Sequence, residues 1–196
     1  MTDLAERRGV ETEVYEPAAD SRLLAEAAAA DLDAPERVLD VGTGTGYVAA
    51  RVREATGARV VGTDLNPHAC RRARENGVEA VRCDLLAAVS GPFDAVTCNP
   101  PYLPDIPGDA GGTDGAREDW LSVALSGGES GRAVVERFLD DVGRVLAEGG
   151  AGFLLVSTLT GVDEVAAYAG ERGFHAVALA DANFPGETLT ALKLVR

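Results

Sequence analysis

Asn99-Pro100-Pro101-Tyr102 is the segment whose residue types and order could most directly do chemistry. A planar nitrogen, in an amide or an aromatic amine, has a delocalised lone pair and attacks carbon poorly. Two acceptors holding both of its hydrogens would orient it and push density onto it. The Asn99 side-chain oxygen and the Pro100 carbonyl are suited to that task, the carbonyl being stiffened because proline fixes φ. Tyr102 would give the planar group a flat wall. Opposite a methyl sulfonium, catalysis would then come from orientation and electrostatics, with no strong general base needed before transfer. Asn99, Pro100 and Tyr102 are therefore the expected catalytic residues, and Asn99, Pro100, Pro101 and Tyr102 the expected substrate clamp. A strand stop followed by a stiff turn is the bland alternative for the same four residues, and what lies upstream weighs against it.

Upstream, Asp40-Val41-Gly42-Thr43-Gly44-Thr45-Gly46 closes one apolar run and opens a helical pattern. Gly42, Gly44 and Gly46 would let the backbone turn sharply and let a ligand approach free N–H groups at the helix start. A dinucleotide fingerprint would need a further glycine where Tyr47 stands. Asp40 would repel a pyrophosphate but suits an ammonium group, which S-adenosylmethionine carries along with a sulfonium. Asp64 follows the glycines by about 20 residues, the distance at which a carboxylate takes ribose hydroxyls. Asp84 could accept from the adenine amine, with Leu65 and Leu85 lining the ring's faces. Taken singly these signals are weak: the glycines could form only a tight turn, and Asp64 could cap a helix starting at Pro67. Three acids at three consecutive strand ends favour S-adenosylmethionine over NAD.

For these groups to converge, the runs Arg37–Val41, Arg59–Thr63, Ala80–Arg82, Phe93–Cys98, Gly152–Ser157 and Ala176–Leu179 must be strands of one sheet. Helical patterns lie between them at Gly46–Thr56, Pro67–Asn76, Gly131–Leu146 and Val162–Arg172. That alternation predicts an α/β fold with a mostly parallel sheet covered on both faces. The run Thr188–Val195 follows without an intervening helix and is expected to return antiparallel. Ser21–Ala30 reads as a helix with Asp20 or Ser21 as N-cap. Residues 1–36 are expected to cover the cofactor site, and the Gly-, Pro- and Asp-rich stretch 99–128 to form the substrate loop of a single domain spanning 1–196.

Composition sets the limits on function. The chain has 196 residues, 46% of them apolar, and 32 acidic against 18 basic side chains give a formal net charge of −14. It should fold around a real core despite that charge. No run approaches the roughly 18 apolar residues of a membrane helix, and Met1 to Val14 do not read as a signal peptide. Cys70, Cys83 and Cys98 have no Cys-x-x-Cys spacing, so a reduced, cytoplasmic chain without a disulfide framework or metal site is expected. His68 and His175 lack ligand-spaced neighbours and read as solvent or packing residues. Acidic residues spread along the whole chain, with Lys193 the only lysine, read as a solubility adaptation to a salt-rich cytoplasm.

With these motifs in hand, the chain resembles the HemK family of release-factor glutamine methyltransferases, in its short archaeal and eukaryotic branch. The resemblance rests on Val14-Tyr15-Glu16-Pro17-Ala18-Ala19-Asp20-Ser21, the Asp40–Gly46 loop, Asp64-Leu65-Asn66-Pro67, Asp84-Leu85, Asn99–Tyr102, Gly127-Gly128-Glu129-Ser130-Gly131-Arg132 and Gly186-Glu187-Thr188-Leu189. It implies a Rossmann-like class I methyltransferase with strand order 3-2-1-4-5-7-6. It further implies transfer of a methyl group to the glutamine of the Gly-Gly-Gln motif in a translation termination factor. Ser21, Asp40, Gly42, Asp64, Asp84, Leu85 and Asn99 match the family's cofactor positions. Ala19 and Asp40 stand where many relatives carry Glu, which shortens the reach to the cofactor's amino group. Only a short segment precedes the first helix, where bacterial relatives carry a helical domain, so substrate docking is expected on another surface. The branch also implies a heterodimer with a small zinc-containing activator that adds a strand at the third-strand edge, Glu79-Ala80-Val81-Arg82. An ordinary edge guarded by Glu79 and Arg82 is the alternative.

Three other functions are consistent with parts of this pattern. The Asn-Pro-Pro-Tyr motif is shared with adenine amino-methyltransferases of DNA and RNA, but no added recognition region or basic surface is visible. A protein lysine methyltransferase is a further alternative, and a nucleotide-binding oxidoreductase would leave Tyr47 and the clamp unexplained.

Overall fold

The computed structural model describes residues 14–104 and 120–196. In chain order the elements are α1 (Ala19–Asp31), β1 (Arg37–Val41), α2 (Tyr47–Thr56), β2 (Arg59–Asp64), α3 (Pro67–Glu75), β3 (Glu79–Arg82), β4 (Phe93–Cys98), α4 (Trp120–Leu125), α5 (Ala133–Val145), β5 (Leu146–Ser157), α6 (Val162–Glu171), β6 (His175–Phe184) and β7 (Glu187–Val195). The seven strands form one sheet in the order β3-β2-β1-β4-β5-β7-β6, with β7 antiparallel to both of its neighbours. This is the Rossmann-like order that the resemblance implies.

Period-two alternation divides each central strand between two apolar layers. Val38 on β1 and Ala95 on β4 join Leu24, Val52 and Ala73 beneath α1, α2 and α3. Leu39 and Val41 join Phe138, Val142 and Val165 beneath α5 and α6. The same alternation turns Asp40 and Thr97 toward the α1–α2 side, and the sheet register sets them directly opposite one another. The site is thus fixed by rigid central strands.

Several boundaries differ from expectation. The N-cap of α1 is Ala18, without a side-chain cap, which leaves Asp20 and Ser21 inside the first turn. At α3 the cap is Asn66, whose side chain accepts from His68 N, and Asp64 is not the cap. β5 starts at Leu146 because Glu148-Gly149-Gly150, turn-like in sequence, is taken up by an irregularity in the β4–β5 pairing. β6 continues to Phe184 because Thr190 and Thr188 on β7 donate to Asp181 and Asn183 at 2.6 and 2.9 Å. Inside the expected substrate loop, Trp120 lies on the short helix α4. The parts of that loop and of the N-terminal segment at 105–119 and 1–13 lie outside the described residues. All three cysteines are buried and free, and no helix among the described residues is long and apolar enough to cross a membrane.

Candidate active site

Asp40 is the buried centre of the site, at 2% exposure. Thr97 Oγ1 from the neighbouring strand and Thr43 Oγ1 from the glycine loop each donate to it at 2.7 Å. Burial nevertheless outweighs these hydrogen bonds and pushes the Asp40 carboxyl up to about 6, from an ordinary aspartate value of 3.8. The nearby Cys98 thiol is also pushed up, by burial first and then by Asp40. A buried carboxylate with no cation beside it is costly unless a positively charged ligand completes it.

The residue opposite Asp40 on β2 is Gly62, and the reason is steric. A Cβ there would lie 2.7 Å from Thr43 Cβ, Cγ2 and Oγ1, so only glycine lets Thr43 fold back onto the carboxylate. Gly62→Ala is expected to displace Thr43 and weaken S-adenosylhomocysteine binding by roughly tenfold, measured by calorimetry. Gly62 and Thr97 are not singled out in the sequence, because only the strand register brings them to Asp40, whereas Thr43 reaches it from the glycine loop three residues on.

Within the glycine loop the three glycines divide their roles. An added Cβ at Gly44 would meet nothing within 4 Å, and at Gly42 only the Asn99 carbonyl at 3.9 Å, so this side of the loop is open to a ligand. Gly46 instead serves packing, since a Cβ there would come within 3.0 Å of Val78 Cγ2 and 3.3 Å of Ala73. Asp64 Oδ2 accepts from Gly44 N and Oδ1 from Asn66 N, both at 2.9 Å. Burial again raises its carboxyl above the ordinary range. Asp84 stands somewhat apart: its carboxylate is drawn to Arg137 on α5 at 2.6 Å. The following residue, Leu85, holds φ at +48°, a strained value for leucine, and its carbonyl accepts from Thr63 Oγ1 at 3.2 Å. Leu65 is exposed beyond the end of β2.

At the other end, Asn99 leaves β4 beside Gly42. Its Nδ2 donates to Ser21 Oγ at 3.4 Å, while its Oδ1 is buried with no hydrogen-bond partner among the described residues. Pro100 is buried, and Tyr102 is half-buried against the core layer under α1–α3. The Gly127–Arg132 segment holds this exit loop: Leu103 N donates to Leu125 O, and Gly127 N to Leu103 O. Gly131 is in close contact here, because a Cβ would approach Tyr102 O to 2.8 Å and Thr160 Cγ2 to 3.0 Å. Arg132 donates to Thr160 O at 2.8 Å, a loop-tying role.

The structure therefore brings Ser21, Asp40, Gly42, Gly44, Asp64 and Asn99 together around one loop. A hidden carboxylate, an open glycine face and an orphaned amide oxygen suit a ligand with an ammonium group and a neighbour with N–H donors. S-adenosylmethionine fits that donor set. With the seven-strand order, these features define a class I S-adenosylmethionine-dependent methyltransferase, and a model of the methyltransferase domain matches residues 38–107.

A Methanocaldococcus jannaschii protein described as a protein N5-glutamine methyltransferase is 33% identical over 191 residues, covering 94% of this chain and 92% of its own length. Human methyltransferase HEMK2 is 31% identical over 204 residues, covering 96% and 92%. A solved chain of the E. cuniculi Mtq2–Trm112 complex, described as methylating the translation termination factor eRF1, is 32% identical with a TM-score of 0.76, covering 94% of this chain and 99% of that one. The Deinococcus radiodurans release factor glutamine methyltransferase is 41% identical over 122 residues, and the chain spans 43% of its length. The chain belongs to the HemK family of glutamine methyltransferases.

Proposed function

We propose that this enzyme methylates the side-chain amide nitrogen of the glutamine in the Gly-Gly-Gln motif of a translation termination factor, in the cytoplasm. The Asn99 Oδ1, buried and without a hydrogen-bond partner among the described residues, on a residue whose main-chain carbonyl lies at Gly42, is the observation that supports this most directly. An acceptor left without a donor in a dry site is costly, and an incoming amide N–H would satisfy it. The named activities of the long-matching relatives favour a protein glutamine over an adenine, which could use the same clamp.

In this reading Asp40 holds the cofactor's ammonium group, Asp64 the ribose hydroxyls and Asp84 the adenine amine. Ser21, Gly42, Gly44, Leu65 and Leu85 complete the cofactor's surroundings, while Gly46 packs the loop against Val78 and Ala73. When bound, S-adenosylmethionine supplies an electrophilic methyl group whose sulfur keeps the bonding pair and departs as S-adenosylhomocysteine. Asn99 Oδ1 and the Pro100 carbonyl take the two amide hydrogens, Pro101 keeps the turn stiff, and Tyr102 walls the planar group. The nitrogen gains the methyl carbon and gives up one proton to solvent after attack. Mass spectrometry of the termination factor's Gly-Gly-Gln peptide, from cells with and without the gene, should show one methyl group lost with the gene. Methylation found only on nucleic acid would overturn the reading.

The proposal includes a partner, a small zinc-containing activator that adds a strand to β3. Three features support it: β3 is an outer strand, Val81 is 51% exposed on it, and the E. cuniculi relative is named in complex with Trm112. Glu79 is engaged with Arg59 at 3.0 Å and Arg82 with the Leu65 carbonyl at 3.0 Å, so the flanking charges are held along the sheet. Val81→Asp should cut co-purification of the activator by tenfold or more. Unchanged recovery would place the activator elsewhere.

A further inference from the structure

A chain of hydrogen bonds runs from the segment before α1 to Asn99. The Tyr15 hydroxyl donates to Asp20 Oδ2 at 3.1 Å. Ser21 donates twice to Asp20 Oδ1, through its main-chain N–H at 2.6 Å and its hydroxyl at 3.2 Å. Asn99 Nδ2 then donates to Ser21 Oγ at 3.4 Å. Asp20 and Ser21 are buried at 4% and 7% exposure, although neither is the N-cap of α1.

The direction of these bonds matters because the two ends of an asparagine amide are nearly equal in size and opposite in hydrogen-bonding sense. A serine hydroxyl has one proton to give. The Asp20 carboxylate takes it, so Ser21 Oγ offers Asn99 only lone pairs, and only the Nδ2 end of Asn99 can answer. Oδ1 is then left facing the other way, buried and unpartnered. Without Asp20 the Ser21 proton would be free to donate to Asn99, and the amide could turn over. Its Nδ2 hydrogens would then point where the substrate's own N–H hydrogens must enter, donor against donor.

We infer that Asp20, backed by Tyr15, is a positioning residue that acts through Ser21 to decide which end of the Asn99 amide faces the substrate. The inference rests on the glutamine-methylating reading given above. Three variants of the full chain test it: Asp20→Ala, Asp20→Asn and Tyr15→Phe. The readouts are S-adenosylhomocysteine affinity by calorimetry, kcat on the termination factor, and the NMR signals of the Asn99 side-chain amide, identified by their loss in Asn99→Ala. Asp20→Ala should lower kcat roughly tenfold, leave the affinity within about threefold and shift the Asn99 amide signals. Asp20→Asn can keep an oxygen on Ser21 and should recover most of the rate, and Tyr15→Phe should fall between it and wild type.

Wild-type kcat with unshifted Asn99 signals in Asp20→Ala would overturn the inference. So would equal losses of rate and affinity that Asp20→Asn does not repair, since that pattern marks a merely structural residue. Failure of the wild-type chain to methylate the termination factor would instead overturn the functional reading, and the Asn99 amide signals would still decide whether Asp20 sets the amide's orientation.

Discussion

Asn99→Ala is expected to reduce methyl transfer by roughly 10²–10⁴-fold while partly sparing cofactor binding and leaving folding almost intact. The magnitude follows from losing the acceptor that orients and polarises a weak nucleophile. The selectivity follows from how little else Asn99 does. Among the described residues its Oδ1 has no partner to lose, and its Nδ2 makes one long bond, to Ser21. The cofactor anchors keep theirs, Asp40 with Thr43 and Thr97, and Asp64 with Gly44 and Asn66. Removing a buried unsatisfied oxygen should leave the unfolding midpoint unchanged or raise it slightly. Single-turnover transfer from labelled cofactor, set beside S-adenosylhomocysteine calorimetry, separates the two effects. A variant that transfers at the wild-type rate would show that the planar nitrogen is held by other groups.

What the sequence made legible follows from what is local in it. Apolar runs ending in Asp40, Asp64 and Cys98 mark strand tips, and Gly42–Gly46 marks the turn above the first of them. These positions needed only spacing along the chain. Gly62 and Thr97 were invisible by the same logic. Each matters because the register sets it beside Asp40, and a glycine inside an apolar run carries no local sign that Thr43 will fill its space. Asp20 and Ser21 illustrate the opposite failure. They have the chemistry of an N-cap, but the cap falls two residues before Asp20, at Ala18; the Ser21 hydroxyl instead meets Asn99, 78 residues on, and Asp20 holds Ser21. At α3 two competent caps stand two residues apart. Asp64 is occupied by the glycine loop, and the cap falls to Asn66. Local propensity offers candidates for such polar residues, and long-range pairing chooses among them.

Asp40→Asn should make the ligand-free protein more stable and the cofactor complex much weaker. The folded state holds the Asp40 carboxyl near 6 where the unfolded chain has 3.8, so between those values the folded protein carries the extra proton. The stability tied to that proton is fully present below about 4 and is lost as pH rises through about 6. The difference amounts to about 3 kcal/mol at neutral pH. Asparagine carries no charge to bury. Its oxygen can accept from one of the Thr43 and Thr97 hydroxyls, and its amide can donate to the other. The unfolding midpoint of ligand-free Asp40→Asn at pH 7.5 should therefore rise by several degrees, and its dependence on pH across this range should flatten. Binding moves the other way, because an ammonium group beside a buried carboxylate is a desolvated charge pair. Its loss should weaken S-adenosylhomocysteine by roughly 10²-fold or more. In the wild-type chain the affinity should climb as pH rises through about 6, and in the variant that climb should vanish. A variant that binds as tightly as wild type would move the ammonium site away from Asp40. One that unfolds earlier would mean that the two threonine hydroxyls already compensate the buried charge, so that the carboxylate is held for the fold's sake and not for the ligand's.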